Sequence, residues 1–342
     1  MKIEVYSPTI RRKEMDAVLT ALVEDRLGPA EQSHLLLSVA KEQIGCEYCC
    51  AVRSPALALF FALKALHLKS GQAVLLSVLS PQYYTQVIAD ADLVPVYCDV
   101  DGATACITKQ TVEAALITQS NNPPRCLIVH HSLGFIPDMQ SLLQLEIPII
   151  EDCSRSYGTI LEGRSEQKAA ATLSILGLEE RDILTAGGGA LLCATGRRQI
   201  IPLRAVTELA PEYGLPDMNA AMAVVQFREA ARNLEKRKEI AAVYTQAALQ
   251  THHKRFVYNE YNNYAFPLIL ETGLKDVLAY AKRYDIVLEH AFTDTLMGAG
   301  LLVPDSYPES YSLMLRTVLF PLYPRLSAAS IEKIAKLIRT LP

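Results

Sequence analysis

Between Tyr48 and Cys193 the chain alternates short apolar runs with stretches of helical periodicity, and few folds accept that pattern. The apolar runs are Tyr48–Val52, Ala73–Val78, Val94–Cys98, Cys126–His130, Ile147–Glu151, Ala171–Ile175 and Ala190–Cys193. Helical stretches at 56–68, 82–92, 110–118 and 138–145 separate them. Strands without a polar face are buried on both sides, and the intervening helices supply crossovers. The pattern therefore predicts an α/β fold with a mostly parallel central sheet sandwiched by helices. Upstream, Ile10, Met15, Val18, Leu19, Leu22 and Val23 mark a helix within 9–27. Leu35, Leu36, Val39, Ala40 and Ile44 mark a second over 34–44, with Gly45 as its stop.

After Pro216 the character changes. Residues 218–249 read as one long helix rich in alanine and charge. A strand at Tyr264–Ile269, a helix at Lys275–Tyr284, a strand at Ile286–Glu289 and an amphipathic helix at Ala328–Thr340 follow. The expected division is a large domain over 1–235 and a small α+β carboxy-terminal lobe over 236–342, which suits 342 residues at roughly 100–200 per domain.

Composition excludes several classes of function. Half the residues are hydrophobic and a fifth charged, so the chain can bury a large core. Net charge is −4 and the 33 basic residues are scattered, which argues against a nucleic-acid partner. The most apolar stretch, Ala51–Leu68, is broken by Arg53 and Lys64, short of the roughly 20 residues that cross a bilayer. The opening MKIEVYSPTI lacks the apolar core of a signal peptide, so no membrane partner and a cytoplasmic location are expected.

The eight cysteines do not form a disulfide framework. Cys98, Cys126, Cys153 and Cys193 lie in or beside apolar runs, where a thiol behaves as a small hydrophobe. Cys46, Cys49 and Cys50 make a C-x-x-C-C cluster that could begin a metal or redox site. A second ligand pair at matching spacing is absent, so buried thiols in a reducing compartment and no metal site are the expectation.

Three further motifs carry chemistry or only structure. Gly187-Gly188-Gly189 sits between apolar runs with no helix after it, which reads as a hairpin turn rather than a phosphate loop. His130 and His131 are adjacent on a strand, so they face opposite ways and cannot easily grip one ion. Glu151-Asp152 closes a parallel strand, where open α/β sheets bind their ligands. A carboxylate there can pair with a protonated ring nitrogen or cap the following turn.

Those acidic residues lie in PIIEDCSRSYG (148–158), which resembles the stretch carrying the cofactor-ring aspartate in the DegT/StrS family of sugar aminotransferases. The resemblance runs from YSPTIRRKEMDAVLTAL at Tyr6 to VLFPLYPRLS ending at Ser327, the latter similar to the start of the family's last helix. Between them AVRSPALALFFAL resembles the first phosphate turn, and VPVYCDVD the strand that reaches the active site. LSIL and AGGGALL resemble the surroundings of the catalytic lysine, and DMNAAMAVVQF the start of the long helix. The family implies aminotransferase fold type I, pyridoxal phosphate, nucleotide-linked keto-sugar substrates and a homodimer. It implies cofactor-binding roles for Asp152, Ser174, Ser54 and, at the family's glutamine position, Arg155.

The same resemblance exposes departures. The family's Schiff-base lysine falls on Leu178, Glu179, Glu180 or Arg181, and no lysine occurs between Lys168 and Lys236. Lys168 precedes Ser174 by six residues, roughly 20 Å along an extended strand. The Ser-Gly-Thr phosphate turn becomes Ser54-Pro55-Ala56, losing an N–H and a hydroxyl. The partner-donated asparagine falls on Glu212, and a carboxylate about 5 Å from a phosphate charge costs roughly 3 kcal/mol at an effective dielectric near 20. The stacking aromatic falls on Pro81, with Tyr83 and Tyr84 nearby, and the family's histidine becomes Tyr157. Tyr6 and His290 complete the residues expected along the old cleft.

These departures lead to three expectations. The first is a homologue that has lost transamination, has no catalytic residue and no cofactor, and binds a ligand, such as a sugar, or a partner. The second is an enzyme that uses pyridoxal or pyridoxamine phosphate on a nucleotide-linked keto-sugar, as transaminase or dehydratase. The third is a subunit that dimerises with itself or with an active relative.

Overall fold

The computed structural model describes residues 2–25, 27–159, 171–208, 211–258, 261–271 and 273–342. The apolar runs form seven strands: β1 (Tyr48–Val52), β2 (Ala73–Ser77), β3 (Val94–Cys98), β4 (Cys126–His130), β5 (Ile149–Asp152), β6 (Leu173–Gly177) and β7 (Ala190–Ala194). Their spatial order is β1-β7-β6-β5-β4-β2-β3. Strands β3, β2, β4, β5 and β6 are parallel, and β7 runs antiparallel to both β6 and β1. β2 and β4 are buried at every position, as a doubly covered parallel sheet requires.

The helices of this part are α1 (Arg12–Val23), α2 (Glu31–Ile44), α3 (Pro55–Ala65), α4 (Tyr83–Asp90), α5 (Lys109–Thr118), α6 (Met139–Leu143), α7 (Arg197–Thr207) and α8 (Asp217–Ala248). α3, α4 and α7 cover one face, burying Leu59, Tyr84 and Leu203 against Ile128, Ile150 and Ile175. On the other face α2 and α8 press Leu36, Val224 and Phe227 onto Leu176, Leu191 and Cys193. β5 begins at Ile149 because Pro148 has no N–H for the ladder; its carbonyl still accepts from Leu127 at 2.9 Å.

α8 passes from one core to the next: Ala223 and Phe227 pack under the large sheet, Ile240 and Tyr244 in the small lobe. That lobe holds β8 (Phe266–Ile269), α9 (Leu274–Lys282), β9 (Glu289–His290), α10 (Pro308–Arg316), β10 (Thr317–Phe320) and α11 (Ala328–Arg339). Its antiparallel sheet has the order β8-β10-β9. The lobe also recruits the amino terminus, since Ile3 bonds to Asp285 and Val287 at 2.9 Å each. A cut at 235/236 therefore separates residues that share one core.

Thr317–Phe320 corrects the sequence reading. VLFPLYPRLS, which the resemblance gives as the start of the last helix, begins instead inside the central strand of the small sheet, buried at all four positions, while the helix read at Ala328–Thr340 is α11. Pro321 and Pro324 forbid helix there, and α11 starts only where Ser327 caps it by accepting from the Ser330 N–H at 3.1 Å. α7 and α10 were not anticipated. No helix of the described residues is long and apolar enough to cross a membrane.

Candidate active site

Asp152 ends β5, beside His130 of β4 and Ile175 of β6. Its carboxylate is closed by its own chain. One oxygen accepts the Tyr84 hydroxyl and lies 3.4 Å from His130 Nδ1. The other accepts the Ser154 N–H at 3.0 Å and the Ser154 hydroxyl at 2.5 Å. Burial opposes the charge, yet the bonds from His130, Ser154 and Tyr84 hold Asp152 well below the ordinary carboxylate range. Burial pushes His130 down, so the imidazole is neutral and donates its Nδ1–H.

Past β6 the chain reaches the stretch where the resemblance calls for lysine. Leu178 is fully buried, and Glu179, Glu180 and Arg181 are exposed. Arg181 turns outward to Glu289 at 2.8 and 3.2 Å, its guanidinium 4.6 Å from the Tyr6 ring centre. The next residue turns inward. Asp182 Oδ2 accepts the Glu179 N–H at 2.8 Å and lodges against Gly177. A Cβ on Gly177 would lie 2.2 Å from that oxygen and 2.8 Å from Ser154 Oγ, so glycine is what lets Asp182 approach the Asp152 cluster. Burial pushes the Asp182 carboxyl up to about 8; the Glu179 N–H opposes this and the Asp152 charge adds to it. An ionised and a protonated carboxyl thus share the carboxyl end of the sheet, an arrangement able to hold or pass a proton.

Aromatic and charged side chains fill the surroundings. The Tyr83 and Tyr84 rings meet edge-on at 4.9 Å, and burial first, then the Asp152 charge, raises the Tyr83 phenol. Arg155 pairs with Asp294 at 2.7 Å and lies 5.6 Å from the Tyr264 ring centre, which is 5.9 Å from that of Tyr6. A cavity of about 20 Å³, bounded by Tyr6, Thr9, Arg181, Asp182, Gln226 and Arg237, has room for about one water.

The structure thus brings together Asp152, Arg155, Tyr6, Tyr83 and Tyr84, and adds Asp182, which the sequence reading passed over one residue beyond the lysine slot. Other expected residues lie apart. Ser174 is the second residue of β6, not its end, and sits beside Glu151 and Cys193; strand alternation sends it to the sheet face opposite Asp152. Tyr157 donates to Gln43 at 2.8 Å and packs edge-on to Phe227 under α8. Glu212 is exposed and offers only its carbonyl, to Arg53 Nε. His290 contacts the Met314 carbonyl in the small lobe, and Pro81 bridges to Thr295. Lys168 lies outside the described residues. His131 turns to Ser156 at 2.6 Å and to Glu151 at 3.3 Å, away from the partners of His130. Gly187, Gly188 and Gly189 all have positive φ in the β6–β7 connection, which only glycine adopts readily.

Ser54 caps α3: its hydroxyl accepts the Leu57 N–H at 3.2 Å and its carbonyl the Ala58 N–H at 3.0 Å. With Pro55 lacking an N–H, only the Ala56 amide of that turn is left by the cap. The pyridoxal phosphate implied by the resemblance needs an amine, an anion seat and a carboxylate with a lone pair for the ring nitrogen. The residues present do not fit it. Four donors already meet the roughly four lone-pair sites of Asp152, Asp182 stands beside the amine's place, and the anion seat keeps one amide.

Comparison with known proteins agrees with the architecture. An aminotransferase from Streptoalloteichus hindustanus superposes with a TM-score of 0.86 at 20% identity, covering 98% of each chain. A putative sugar aminotransferase from Streptococcus pneumoniae, solved in its PMP form, gives 0.87 at 16% identity, covering 99% of this chain and 97% of that one. An L-glutamine:2-deoxy-scyllo-inosose aminotransferase of Streptomyces lividus is 30% identical over 185 residues, 52% of this chain and 42% of its own length. Its counterpart from Streptomyces fradiae is 32% identical over 153 residues, 43% of this chain and 35% of its own. These matches span less than half the length of the relatives. The pattern of the DegT/DnrJ/EryC1/StrS aminotransferase family matches residues 8–339. With that match, the strand order and the fold it shares, this chain belongs to the DegT/DnrJ/EryC1/StrS aminotransferase family.

Proposed function

We propose that this chain is a member of the sugar-aminotransferase family that has given up Schiff-base transamination and binds a small ligand or a protein partner. The observation that carries the reading is Asp182, lodged against Gly177 near a fully bonded Asp152, in a stretch without lysine from Ala169 to Glu235. An internal imine requires an amine nucleophile, and a carboxyl cannot supply one. The names of the Streptomyces relatives make a cyclic keto-polyol the ligand class to try first. The test is to add pyridoxal phosphate to the purified chain and look for a visible band that borohydride abolishes. None is expected, and a stoichiometric one overturns the reading.

A second reading, an enzyme using the aminated cofactor non-covalently on a nucleotide-linked keto-sugar, is favoured by one observation: Asp152 keeps its charge at the carboxyl end of β5. Pyridoxamine phosphate at millimolar concentration would then raise the melting temperature, and an unchanged value disposes of it. Self-association is supported by Met15, Leu19, Leu22 and Val23, which stand 44–76% exposed on α1. A lone monomer in sedimentation at micromolar concentration defeats it.

A further inference from the structure

We propose that Cys46, Cys49 and Cys193 form a binding site for one soft, thiophilic d¹⁰ ion, of which monovalent copper is the type. The three sulfurs lie within 4.8 Å of one another, and all three residues are buried. They converge from two elements and a turn. Gly45, left-handed at φ 71°, ends α2 and delivers Cys46; Cys49 of β1 and Cys193 of β7 face each other across the antiparallel pair, Sγ to Sγ 3.4 Å. Cys50 turns to the opposite face, with its sulfur 3.6 Å from the Leu192 carbonyl, so the C-x-x-C spacing supplies two ligands and the neighbouring strand the third.

The donor set selects the ion. Three sulfurs with no oxygen or imidazole in the group do not suit calcium or magnesium, which take oxygen ligands. Structural zinc takes four ligands, and this group brings three ligating atoms together. Thiolate sets favour monovalent copper. A metal–sulfur bond of about 2.3 Å in a trigonal plane sets the sulfurs about 4 Å apart, inside the span observed here. Each thiol that ligates gives its proton to solvent, with no change of oxidation state. The site lies on the sheet face opposite Asp152 and does not rest on the proposed function.

The experiment titrates monovalent copper, without oxygen, into the reduced full-length chain in competition with a chromophoric copper(I) chelator. One copper per chain is expected to leave the chelator. Cys46→Ala and Cys193→Ala should each weaken binding by more than about 100-fold, beyond what loss of an outer-shell contact costs. Cys106→Ala, whose sulfur meets the Phe135 carbonyl elsewhere, should leave it unchanged. Should either variant fail to fold, X-ray absorption on the copper-loaded native chain still decides, with three sulfurs about the metal expected. No copper taken up, uptake indifferent to Cys46 and Cys193, or a Cys49–Cys193 disulfide in protein kept from oxygen overturns the proposal.

Discussion

Asp152 and Asp182 occupy neighbouring positions at the carboxyl end of one sheet and end in opposite protonation states. Asp152 terminates a strand and receives donors from β4, from α4 and from the turn that follows it. Asp182 sits in an irregular turn and receives one backbone N–H, that of Glu179. Both lose solvation. The one met by four donors keeps its charge, and the one met by a single donor keeps its proton. Asp152 is buried and Asp182 half-buried, so the deeper group is the one that stays charged, and hydrogen-bond supply separates them.

Removing the better-supported carboxylate is the severest test of that contrast. Asp152→Ala strands the Tyr84 hydroxyl, His130 and Ser154 in a buried site and should cost about 3–5 kcal/mol by urea denaturation. A loss below about 1 kcal/mol would show that the four bonds do not act as a set.

Asp182→Asn should do the reverse. The folded state binds the proton more tightly than the unfolded chain, so native Asp182 lowers stability progressively as pH rises from about 4 to about 8. The amide keeps an acceptor for Glu179 and escapes that loss. The variant should gain at most about 5 kcal/mol above pH 8, less where solvent screens the half-buried carboxyl, and little at pH 4, read as melting temperature against pH. A gain independent of pH would contradict the protonated carboxyl.

The smallest effect concerns the turn at Ser54, where the resemblance puts the cofactor phosphate. Ser54→Ala removes the cap of α3 and should cost about 1 kcal/mol in thermal unfolding. Inorganic phosphate at millimolar concentration should leave the melting temperature of both native and variant chains unchanged. Protection of the native chain alone would restore Ser54 as a phosphate ligand.

Much of this was legible in the sequence, for local reasons. β1, β3 and β4 coincide with their apolar runs: the central β4 is buried at every residue, and the edge strands β1 and β3 still bury Cys49, Val52, Val96 and Cys98. Asp152 stood out as an acid closing such a run. Asp182 did not, since its place depends on how 178–182 fold back onto Gly177, and turns carry no period. Ser174 seemed paired with Asp152 until strand parity put them on opposite faces. Cys193 is 144 residues from Cys49, so only the β1–β7 pairing shows that the C-x-x-C segment has a third sulfur.

The most direct measurement is peptide mass mapping after incubation of the full-length chain with pyridoxal phosphate and borohydride. The account predicts no stoichiometric phosphopyridoxyl adduct on any single lysine. One adduct per chain on one lysine, Lys168 included, would contradict it.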